Sequence, residues 1–110
     1  MNIRKSDDFI SDAERQFEWY AVNANWDIAE RYLAAVEATC QLLGQHPLLG
    51  PLAGFAHPRL RDWRFMVVFR PFQKHILFYE TNGGDVLLRR AMHGHQDLPR
   101  RLTEPPETYI

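Results

Sequence analysis

Two strand-forming runs, His75-Ile76-Leu77-Phe78-Tyr79-Glu80 and Val86-Leu87-Leu88-Arg89-Arg90-Ala91, flank Asn82-Gly83-Gly84-Asp85. No other feature constrains the fold of this chain as much. Glycine and asparagine accept the positive φ of a tight turn, so a short connection of this composition between apolar runs predicts an antiparallel hairpin. A third run, Phe65-Met66-Val67-Val68-Phe69-Arg70, is bounded by Pro71 and precedes the pair. The C-terminal half therefore reads as a three-stranded antiparallel meander whose last strand, Val86 to Ala91, ends in His93-Gly94 and is followed by Asp97-Leu98.

The N-terminal half carries a different period. Phe9, Ala13, Phe17, Tyr20 and Ala24 recur at helical spacing behind Ser6, a good N-cap, and Asp7 and Asp8 suit the positive end of a helix dipole. This predicts a helix over 7–23. Asn23-Ala24-Asn25 supplies a turn, after which Ala29, Tyr32, Leu33, Val36, Cys40 and Leu43 form a second apolar stripe that Gly44 and His46-Pro47 stop. A connection this short favours an antiparallel helical hairpin that needs a surface to cover. With a short strand over Ile3 to Lys5, the order is β-α-α-β-β-β: an α+β fold with the hairpin on one face of an antiparallel sheet. Phe17, Leu33, Val36, Val67 and Ile76 are expected to share its core.

At 110 residues there is room for one domain, read as 1–102, with 103–110 as a flexible tail containing Pro105-Pro106. The charged start, Arg4-Lys5-Ser6-Asp7-Asp8, leaves no apolar run of signal-peptide length, and no stretch approaches the ~20 apolar residues of a membrane span. A cytoplasmic location without membrane association is expected. Cys40 is the only cysteine and sits on an apolar stripe, which predicts a buried thiol. Formal net charge is −1, yet acids dominate up to Gly50 and arginines beyond it. Such a division suits an acidic partner for the basic half, through Arg61, Arg64, Arg70, Arg89 and Arg90.

The order of short motifs resembles that of the RelE/ParE toxins, and the strand running into His93-Gly94-His95-Gln96-Asp97 resembles the ParE branch. Tyr20 stands near the end of the first helix. It is followed by the Pro47-Leu48-Leu49-Gly50 turn, Leu60-Arg61, Phe69-Arg70, a strand ending Phe78-Tyr79, and Arg90-Ala91-Met92-His93-Gly94. The similarity spans nearly the whole chain. It implies the toxin of a type II toxin-antitoxin pair, held in a hetero-oligomer by a protein antitoxin, with DNA gyrase as the target in the ParE branch. The RelE branch implies an alternative, cleavage of ribosome-bound messenger RNA, and a non-toxic antitoxin-binding or co-repressor module is a third reading.

RNA cleavage through the 2′-hydroxyl needs proton-transfer groups and cations at the phosphate, for which the candidates are Arg64, Tyr79, Arg90 and His93. Each also has an ordinary structural role open to it: a paired arginine, an edge tyrosine, a histidine at a strand end. The chain lacks the basic excess that counterion release on RNA favours. His93, His95 and Asp97 have no further His or Cys partner at metal-ligand spacing, so no metal and no cofactor are expected. Binding rather than cutting is the preferred reading.

Overall fold

Ser6 ends one element and begins the next. The computed structural model describes residues 2–94 and 102–103. In it β1 (Ile3–Lys5) passes through Ser6 into α1 (Asp7–Asn23), the Ser6 side chain accepting the Phe9 N–H at 3.0 Å. Asn25 caps α2 (Trp26–Gln45) in the same way, accepting from the Ile28 N–H at 2.8 Å. Each cap satisfies a backbone donor that the first helical turn leaves open. Phe17 meets Trp26 edge to face at 5.0 Å and closes the tip of the hairpin. A 3-10 turn over Pro58–Leu60 leads to β2 (Arg64–Val67), β3 (His75–Asn82) and β4 (Asp85–His93). Gly83 and Gly84 take positive φ in the β3–β4 turn.

The sheet order is β1-β4-β3-β2. β3 pairs antiparallel with both neighbours, giving the expected meander. β1 lies parallel to β4, with Ile3 opposite Val86 and Lys5 opposite Leu88, so the sheet is mixed rather than antiparallel throughout. The parallel direction carries the chain from Lys5 straight onto the next stretch of β4, where α1 takes over the edge. The Ser6 N–H donates to the Leu88 carbonyl, the Ser6 hydroxyl donates to the Arg89 carbonyl, and the Asp12 carboxylate accepts the Ala91 N–H. An edge that three residues of strand are too short to cover is finished by a helix.

β4 also carries a bulge. Tyr79 lies opposite Leu88 while Phe78 lies opposite Arg90, leaving Arg89 as the extra residue. The insertion reverses the alternation, so Val86 and Leu88 face the helices before it and Ala91 does so after it. The main core joins Phe9, Tyr32, Val36, Cys40 and Leu43 of the helices to Val68, Phe72, Leu77, Tyr79, Val86 and Leu88. A second cluster, Leu60, Trp63, Phe78, Met92 and Leu102, covers the other face.

Four of the five residues expected to share one core sit elsewhere. Val36 belongs to the main core. Leu33 is 40% exposed because it lies one position beyond Tyr32, off the buried line of Ala29, Tyr32, Val36, Cys40 and Leu43. Val67, on the outer strand, is 38% exposed while Val68 takes the buried place. Ile76 packs against the second cluster, and Phe17 is half-buried at the hairpin tip. Gly44 lies inside α2 rather than after it. A Cβ there would collide with the side chain of Ile3, so the glycine lets β1 approach the helix. Cys40 is fully buried, and burial pushes its thiol up to about 12. Of the 103–110 segment expected to be a tail, residues 104–110 lie outside the described residues.

Candidate functional site

Arg90 is 4% exposed and its guanidinium grips Asp12 of α1 through two bonds, Nε to Oδ2 at 2.7 Å and Nη2 to Oδ1 at 3.1 Å. Asp12 Oδ2 also accepts the Ala91 N–H at 3.0 Å. This carboxylate therefore fastens the first helix to the last strand by three bonds. A bidentate, fully hydrogen-bonded pair is the form in which an ion pair tolerates burial.

Tyr79 is equally committed. It is fully buried, its hydroxyl donates to the Pro47 carbonyl at 2.8 Å, and the Gly50 N–H donates to it at 2.9 Å. Burial raises its pKa, and the Gly50 bond and the Arg64 charge only partly oppose this. Arg64 lies directly opposite Tyr79 on β2 and donates from Nη1 to the Gly50 carbonyl at 2.8 Å. Gly50 is required where these groups meet, because a Cβ there would strike the Phe65 carbonyl and the Tyr79 ring. The Pro47-Leu48-Leu49-Gly50 turn and Phe78-Tyr79 in the middle of β3 are thus one structural unit.

His93 is exposed and lies opposite His75, their rings 4.7 Å apart. It stands at the far end of the sheet from Arg64, since Tyr79 lies four positions along β3 from His75, roughly 13 Å of strand. Arg64 and Tyr79 are therefore together, Arg90 is held against α1, and His93 is apart from all three. Burial, followed by the charge of His93, pulls the His75 pKa down to about 4. His75 Nε2 and the Tyr20 hydroxyl share a hydrogen bond of 2.8 Å.

The five arginines expected to receive a partner separate in the same way. Arg61 and Arg70 are exposed. Arg64 is half-buried on the Gly50 carbonyl. Arg89 is half-buried, donates from Nε to Glu80 at 2.6 Å and stands 5.7 Å from the Trp63 ring centroid. Arg90 is inside the protein.

Sequence reasoning missed Asp12, His75 and Trp63. A carboxylate between Phe9 and Ala13 on an apolar stripe was the available signal for Asp12. Among the described residues no group of three or more His, Cys, Asp or Glu side chains is placed to hold a metal ion. His95 and Asp97 lie outside the described residues, as do Arg100 and Arg101. Among the described residues no helix is long and apolar enough to cross a membrane.

A helical hairpin on one face of a mixed four-stranded sheet, with an arginine-bearing last strand locked to the first helix, defines a class of small α+β domain. The chain belongs to the ParE toxin family of type II toxin-antitoxin systems (parDE), whose family model matches residues 3–98. Its fold is similar to that of a solved chain described as a chromosomal ParDE TA system from P. aeruginosa. The TM-score is 0.70 at 14% identity, over 86% of this chain and 97% of that one. No curated protein matches.

Proposed function

We propose that this chain is held inactive in a hetero-oligomer with a cognate protein antitoxin, and that when freed it acts in the cytoplasm by binding DNA gyrase. The antitoxin partner is carried over from the description of the solved relative as a ParDE system. An acidic segment of the antitoxin suits the outer edge of β2, where exposed Arg61 and Arg70 flank exposed Val67 and Phe69.

One observation carries the preference for binding over cutting. Three of the four groups a nuclease would draw on are used internally, Arg90 by Asp12, the Tyr79 hydroxyl by Pro47 and Gly50, and Arg64 through Nη1 by Gly50, which leaves exposed His93 apart from them. A phosphate-stabilising or proton-transferring side chain has to reach the reacting atoms.

The purified chain is expected to inhibit gyrase in a supercoiling reaction and to leave ribosome-bound message intact. Codon-positioned cleavage of message by the wild type, abolished in a folded His93→Ala variant, would overturn this reading in favour of the RelE-like one.

A further inference from the structure

Trp63 is 6% exposed, and its indole Nε1–H is buried without a hydrogen-bond partner among the described residues. An indole nitrogen only donates, so a buried one left unmet calls for an acceptor. Trp63 lines a cavity of about 110 Å³ between the start of α1, the segment around Leu60, and β4. Arg59, Arg89 and Arg90 line it as well, together with Ser6 and Asp8 of the α1 start.

The supply of donors there exceeds that of acceptors. Among the described residues the exposed Arg59 guanidinium has no acceptor, and Arg89 spends only Nε, on Glu80. Arg90 is committed to Asp12 and contributes charge at the wall. The Ser6 hydroxyl is already engaged, donating to the Arg89 carbonyl. Asp8 is exposed in the first turn of α1. Glu80, Asp12 and Asp8 together offset the three cations, so directed N–H groups rather than net charge make the site.

A volume of about 110 Å³ holds the equivalent of roughly three or four waters at ~30 Å³ each, far below the ~300 Å³ at which pockets for drug-sized ligands begin. It suits one tetrahedral oxyanion, with anything attached to that group remaining outside. We propose that this cavity is a phosphate-binding site, occupied by free phosphate or by the terminal phosphate of a monoester, with Trp63 Nε1–H, Arg59 and Arg89 as its donors. The site is separate from the β2 edge proposed for the antitoxin, and its test does not depend on gyrase.

The test uses the full folded chain labelled with 15N. Its three tryptophans give distinguishable indole signals, and Trp63→Phe assigns the relevant one. At constant ionic strength inorganic phosphate is expected to shift the Trp63 indole signal saturably while leaving those of Trp19 and Trp26 in place. Adenosine monophosphate run in parallel distinguishes the sources. A matching Trp63 shift assigns the site to a terminal phosphate, and a shift with inorganic phosphate alone assigns it to the free anion. Arg59→Ala, at an exposed residue, and Trp63→Phe, which keeps an aromatic ring, should each weaken phosphate affinity about tenfold. Phosphorus NMR reads this in the tryptophan variant. No saturable shift with either ligand, an equal response to acetate or chloride, or unchanged affinity in Arg59→Ala would each overturn the assignment.

Discussion

Arg90 and Asp12, 78 positions apart in sequence, form the buried ion pair that holds the first helix against the last strand. Asp12→Ala would leave a guanidinium buried without its carboxylate and the Ala91 N–H without its acceptor. A loss of about 3–5 kcal/mol is expected in chemical denaturation. The double replacement Asp12→Leu with Arg90→Met should recover a large part of that loss, because it removes both charges together. A double variant as unstable as the single one would show that the pair is not the source of the effect.

Tyr79→Phe keeps the ring in the core but removes the acceptor of the Gly50 N–H and the donor to the Pro47 carbonyl. The expected cost is about 1–3 kcal/mol, with exchange protection lost first at the Gly50 amide. Gly50→Ala should cost more, since the new methyl meets the Phe65 carbonyl and the tyrosine ring rather than open space.

Acid should weaken the fold through His75, whose imidazole is faced by Tyr20 of α1, Tyr32 of α2 and His93 of β4. Its pKa falls from 6.5 to about 4 on folding. Between those values the unfolded chain holds the extra proton, so stability rises with pH there and falls as pH drops from 6.5 toward 4. The slope is at most about 1.4 kcal/mol per pH unit and flattens above 6.5. Denaturation midpoints of wild type and His75→Gln across this window check it, and an unchanged slope in the variant would remove His75 as the cause.

Charge reversal at Arg61 and Arg70 tests the proposed antitoxin edge without disturbing Arg64, which holds the Gly50 carbonyl. The double Glu variant should fold normally, bind the cognate antitoxin more weakly and associate more slowly. The deficit in association rate should shrink as salt is raised. Wild-type kinetics at low salt would place the antitoxin elsewhere.

The helices were legible because their signals are local. Ser6 and Asn25 cap where their side chains indicate, and the apolar stripes repeat at short range. The β3–β4 turn was legible for the same reason. The direction of β1 was not, because three residues carry no usable period and their partner lies more than 80 positions away. The bulge at Arg89 was hidden too: an insertion in β4 shows only against the register of β3. Arg64, Tyr79 and Arg90 looked available because charge and hydroxyl groups in a sequence do not reveal which acceptors the fold brings to them. Asp12, Gly50 and Pro47 each lie 14 or more positions from the groups they engage.

The guarded edge of β4 gives this sheet a direction of growth. Ser6 and Asp12 occupy the backbone groups that a further strand would need on that side. On the opposite side Phe65 is met by Pro51, but Val67, two residues on, has no backbone partner among the described residues and presents its N–H and C=O outward by the same alternation. A chain joining this sheet by its backbone therefore cannot do so along β4 past Lys5 but can do so at β2, where two copies meeting edge to edge would use up the place a different protein could take.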